Sequence, residues 1–187
     1  TAMMMVLLVG AYSCNDFLNE PPRGALDEQT LANQNGVEGN LISAYALLDG
    51  YNGQGRAWMS AGSNWVIGGI STDNAHRGEE PGTGGMLSTE LYQWSASGVS
   101  QEINDKWEIL YEGITRTNST LRQLELSADE ISAEDQDRIR GEALTLRALY
   151  HFEAYKVWAN VPFVPADAED FDIANTEPII PIILSDL

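Results

Sequence analysis

The sequence predicts a mainly α-helical protein made of stacked helix pairs, interrupted by one long irregular excursion. Three observations carry that prediction. Residues 103–126 hold a single apolar face at helical spacing, through Ile103, Trp107, Leu110, Ile114, Asn118 and Leu121. Residues 133–158 hold two such faces, and a helix that is apolar on two sides has to be covered on two sides, as the inner helices of a stacked array are. Between residues 50 and 100 helical periodicity nearly vanishes, while 11 of the 17 glycines and three of the five tryptophans collect there.

Taken in order, the chain opens with TAMMMVLLVGAYS, residues 1–13, an uncharged run whose length suits the apolar core of a secretion signal and is too short to span a bilayer. Gly10, Ala11 and Ser13 precede Cys14, the only cysteine. An apolar run, small residues and then cysteine resemble a lipobox, in which the cysteine is acylated and becomes the first mature residue. The plainer alternative is a buried structural cysteine on a short apolar helix. Residues 1–13 are therefore expected to be a signal peptide clipped at its N-terminus, with lipidation at Cys14. Residues 14–26, polar and proline-bearing, are expected to be the tether.

The folded part is expected over 27–187. Asp27 is a candidate helix cap, Val37, Leu41, Ala44, Tyr45 and Leu48 form an amphipathic stripe, and Gly50 supplies a stop. Residues 50–100 read as an ordered, ligand-facing loop region, because disordered segments are poor in tryptophan and this one carries Trp58, Trp65 and Trp94. A short strand is expected near WVIGGI. The next helix ends near Leu126. Ser127 or Ser132, with Glu130 or Asp135 three residues on, caps a second helix over about 133–158. That helix has one stripe of Ile139, Ala143, Leu146, Tyr150, Ala154 and Val157, and a second of Leu144, Ala148, Leu149, Phe152 and Tyr155. Pro162 breaks it, 166–177 is an acidic loop, and IIPIILSDL reads as a further element. One pair of helices leaves an outer face that wants further pairs, so the sequence reads as a fragment of a longer array.

Composition removes several function classes. Ten basic residues face 28 acidic ones for a net charge of −18, which repels nucleic-acid phosphates and anionic lipid. One cysteine and two histidines, His76 and His151, leave no cysteine cluster or histidine set for zinc. The acidic run 167–172 reads as a solvated loop, with a calcium site as its minor alternative. No catalytic residue, metal or cofactor is assigned.

Five stretches, in order, resemble the SusD/RagB outer-membrane lipoproteins that capture nutrients for Bacteroidota. They are SC followed by NDFLNEPP, then GVEGNLISAYALL, GGISTDNAHRGEE, WEILYEGITRTNSTL with Trp107, Tyr111, Ile114 and Asn118 in register, and GEALTLRALYHFEAYKVWANVPFV. The terminal IILSDL is similar to a family helix that opens with Asp-Leu. The resemblance implies a tetratricopeptide-like helix-pair scaffold with long loops carrying the ligand site, of which 27–187 is the N-terminal part. It also implies a lipid anchor on the outer membrane, exposure at the cell surface, and a place as lid over a SusC-like TonB-dependent transporter.

Sugar binding needs aromatic platforms for the C–H faces of pyranose rings and planar polar groups for their hydroxyls. Trp58, Trp65 and Trp94 offer the first; Asn64, Asp73, Asn74, His76 and Arg77 offer the second. By resemblance STDNAHRG occupies the family's ligand-contacting loop, with His76 and Arg77 where glycan binders of the family often place tryptophan. Each residue has a plainer reading: Trp65 and Trp94 as core, Asp73 as a turn cap, His76 as an exposed loop histidine. Trp107 and Trp158 read as core, and Arg147 as the partner of Glu142 or Glu108. Three functions stay in view: a nutrient-binding lipoprotein, a helical scaffold for other proteins, and a glycoside hydrolase using paired carboxylates. Carboxylates are plentiful, but none sits in a motif that would raise its pKa beside a partner, and the first reading is preferred.

Overall fold

Asn33 starts the first helix among the described residues. Its backbone is extended and its side-chain oxygen accepts from the Gly36 N–H at 3.1 Å, so helix α1, Gln34–Ala46, begins with one of its orphan donors satisfied. The computed structural model describes residues 30–49, 66–70, 72, 74–75, 101–168, 172–175 and 177–187; Asp27 and the expected stop at Gly50 lie outside them. Val37, Leu41 and Ala44 are buried, and a 3-10 turn, Leu47–Asp49, adds buried Leu47. Tyr45, expected in the stripe, is 41% exposed. The stripe instead continues through Leu47, because the tighter turn rotates the chain there.

The strand expected near WVIGGI is replaced by a single π-helical turn, Val66–Ile70. A strand needs a neighbour to pair its backbone, and among the described residues no strand is present. Gly68 and Gly69 have no β-branched side chains to favour the pleat, and a helical turn satisfies the backbone locally.

Helices α2, Gln101–Leu126, and α3, Ala133–Trp158, have the bounds that periodicity indicated. Of the two candidate caps, Ser132 is the one used: its Oγ accepts from the Asp135 N–H at 3.2 Å, and Glu134 and Asp135 place negative charge in the first turn. The six residues between the helices make them antiparallel, so Trp107 meets Trp158, Asn118 meets Arg147 and Glu125 approaches Arg140. α1 lies across both. Carbonyls of its last turn are also bound by α2 and α3: Arg116 Nη1 donates to Ser43 O at 2.9 Å, and Tyr150 Oη donates at 2.6 Å to Ala44 O, which the Leu47 N–H also reaches. Tyr150 reaches that carbonyl by crossing α2 at Gly113, where a Cβ would stand 2.6 Å from its ring. Val37, Leu41, Ile109, Leu110, Ile114, Leu124, Ile139 and Leu146 form the core between the three helices. Buried hydroxyls on α2 bond back along their own helix, Thr117 to Ile114 O and Thr120 to Arg116 O.

α3 ends at Ala159, whose φ of 58° and ψ of −76° place a non-glycine residue in a sparsely populated region. Residues 161–166 then form a strap across α2. Three side chains of α2 bind alternate carbonyls of it: Tyr111 Oη donates to Pro162 O at 2.7 Å, Asn118 Nδ2 to Val164 O at 2.9 Å and Arg122 Nη1 to Ala166 O at 2.8 Å. Pro162 and Pro165 hold the preceding valines toward extended backbone, so much of the strap is set before it docks. Helix α4, Ile179–Asp186, follows Pro178 at its N-cap and contains Pro181 at its third position, where a backbone N–H has no intrahelical acceptor, so both prolines are compatible with the helix. It packs on α3 through Ile179 and Ile183. The second face of α3 is thereby covered only in part: Leu149, Phe152 and Tyr155 remain 37–41% exposed. Among the described residues no helix is long and apolar enough to cross a membrane.

Candidate functional site

Of the residues assigned to ligand from sequence, the described part of the structure contains Asn74. Asn64, Trp58, Trp65, Trp94, Asp73, His76 and Arg77 lie outside the described residues, as does Cys14. Asn74 sits just past the π turn. Ile70, 2% exposed, anchors that turn. Thr72 Oγ1 then donates to Gly69 O at 2.9 Å and faces the Asn74 N–H at 3.4 Å, a hydroxyl-closed turn of the kind serine and threonine form. The turn leaves Asn74 exposed, beside a buried anchor. Such a residue can offer its amide to a hydroxylated ligand without unfolding anything.

The motif residues of α2 and α3 do different work. Trp107 stacks on Tyr111 with ring centroids 4.3 Å apart and meets Trp158 edge-on at 5.0 Å. Phe163 of the strap lies 5.2 Å from His151, and the Arg147 guanidinium lies 5.1 Å from the Phe163 centroid. These rings are packed into or against the core, so their faces are spent on one another, and they are scaffold, as expected for Trp107 and Trp158. Burial pushes the Tyr111 hydroxyl well above the ordinary range, where it stays a donor to the strap. His151, 1% exposed, is pushed down to about 4 by burial, partly opposed by its bond to Arg147 O, and is neutral at pH 7. Lys106 is fully buried on α2, and desolvation lowers it to about 8 against the attraction of Glu153.

Arg147 departs from expectation. Glu142 is bound instead by Arg138 at 3.1 Å, and Glu108 accepts from Asn104 at 2.6 Å. Arg147 pairs with Asp186 of α4: Nε to Oδ2 at 2.7 Å, Nη2 to Oδ1 at 2.6 Å, with Nη1 donating to Asn118 Oδ1 at 3.1 Å. This bidentate pair is almost wholly buried, with side chains 10% and 7% exposed.

Beside it, α3 and α4 enclose an apolar groove of about 440 Å³, walled by Ala148, Leu149 and Phe152 on one side and Ile180, Ile183 and Leu184 on the other. Thr145 is the polar side chain on its lining, so the groove offers a sugar almost no hydrogen bonds. The second apolar stripe of α3 was the signal for it. Among the described residues no group of three His, Cys, Asp or Glu side chains could hold a metal ion.

Comparison with known proteins adds a family. A SusD-like family model, described as starch-binding and associating with the outer membrane, matches residues 17–177. SusD-like protein P25 of Formosa agariphila is 24% identical over 187 residues, covering 97% of this chain and 35% of that protein. SusD-like protein P38 of the same organism is 26% identical over 196 residues, covering 100% of this chain and 35% of that protein. The chain spans about a third of the length of these curated relatives.

Proposed function

The chain belongs to the SusD-like family of starch-binding proteins that associate with the outer membrane, and from that premise we propose that it captures oligosaccharides or a related nutrient at the cell surface and delivers them to a TonB-dependent transporter. The family match carries this reading, since it runs from residue 17 to 177 and embraces both the helical scaffold and the STDNAHRG segment. Its ligand would rest on Trp58, Trp65 and Trp94 and bond to Asn64, Asp73, Asn74, His76 and Arg77. The exposed turn that presents Asn74 supports that assignment. The protein binds and releases without cleaving a bond, and Cys14 carries the lipid that keeps it at the outer membrane.

Affinity electrophoresis of the full chain through a panel of polysaccharides tests the reading. Retardation on at least one glycan is expected. Asp73→Ala and Asn74→Ala should each weaken it by about tenfold, the loss of one hydrogen-bonding partner, with the melting temperature nearly unchanged. A chain retarded by no glycan sinks the proposal, and an unfolded Asp73→Ala variant returns Asp73 to its turn-capping role.

The apolar groove favours one second reading, a helical scaffold that docks other proteins. Co-purification of a protein other than a transporter, lost on Phe152→Glu and accompanied by no glycan binding, would establish it in place of the first.

A further inference from the structure

The docking of helix α4 on α3 is lopsided. Pro178, at its N-cap, contributes no side-chain hydrogen bond. The helix buries Ile179 and Ile183 fully and Ile180 and Ile182 in part, while Leu184 and Leu187 stay 66% and 75% exposed. Two buried and two partly buried isoleucines do not by themselves offset the ordering of residues 179–186. At the far end stands the Arg147–Asp186 pair, bidentate and nearly dry.

We propose that α4 is a latched element: the buried Arg147–Asp186 pair holds it against α3, and breaking the pair releases α4 and dismantles the apolar groove while α1, α2 and α3 stay folded. The partition follows from where each charge goes. If Asp186 is neutralised, Arg147 keeps its bond to Asn118 Oδ1 but strands the rest of its guanidinium between α3 and α4. If Arg147 is removed, the Asp186 carboxylate is stranded at the same place. In both cases the least costly relief is for α4 to lift away and let water in. The contacts of α1 with α2 and α3, through Ser43, Ala44 and Asn40, involve neither residue and are untouched. The groove cannot survive the release, because Ile180, Ile183 and Leu184 form one of its walls.

Hydrogen exchange on the 187-residue chain tests this with Asp186→Asn, Arg147→Met and the double variant Arg147→Met/Asp186→Leu. Each single variant should speed exchange of the C-terminal amides of α4 by about 100-fold, the penalty for one stranded buried charge, with α2 and α3 amides little changed. The double variant, which replaces the pair with apolar groups, should restore protection of α4. Loss of protection in all helices together would make α4 an integral part of the core and overturn the proposal. So would unchanged α4 exchange in both single variants.

Discussion

Gly113 lets the three helices meet. Tyr150 crosses α2 against its backbone to reach the Ala44 carbonyl, and a methyl group at Gly113 would lie 2.6 Å from the ring. The ring cannot retreat without giving up that bond, so Gly113→Ala should destabilise the protein by about 1–3 kcal/mol in urea unfolding, despite the better helix propensity of alanine. A more stable variant would show that the helices have room to separate. His151 sets a pH dependence by the opposite logic, a titratable group held neutral. Its folded value of about 4 lies below the ordinary 6.5, so as pH falls the unfolded chain takes up the proton first. Stability present above about pH 6.5 is then lost progressively down to about pH 4, by about 3 kcal/mol. His151→Leu should remove that component from a plot of unfolding free energy against pH; an identical slope in the variant would contradict the assignment.

Element boundaries were legible where periodicity and capping chemistry agreed. Residues 133–158 carry two apolar stripes, a serine and an aspartate at cap spacing, and a proline beyond the end, and the helix has those bounds. The cap should contribute measurably: Ser132→Ala is expected to cost about 1 kcal/mol, read as a lower urea midpoint with an unchanged slope. Where the signals were local and weak the reading failed. VIGGI has strand-like residues at its ends, but a strand is a property of two segments, and its sequence says nothing about a partner. α4 was legible as an element and obscure as a helix, since its prolines disrupt a helix interior and are harmless in a first turn.

At the scale of the molecule, the three-helix scaffold could be read from the chain, and its polar connections could not. Arg147 was expected to find a carboxylate nearby, on its own helix or its neighbour. Its partner is Asp186, 39 residues away, and only the path of the strap and α4 brings the two together. The family's helical motif was recognisable before its purpose was: Trp107, Tyr111 and Asn118 brace the scaffold, and the residues assigned to ligand belong to the glycine-rich segment and its neighbourhood. The strap gives that motif a further meaning. Helix α2 rises about 1.5 Å per residue and an extended segment about 3.3 Å. From 111 to 118 the helix therefore advances farther than the strap does from Pro162 to Val164, and from 118 to 122 it advances about as far as the strap does from Val164 to Ala166. A long tyrosine, a short asparagine and a long arginine take up the unequal steps. This part of α2 works as a ruler whose graduations are side-chain lengths, and its count of residues is as much a part of the fold as their identity.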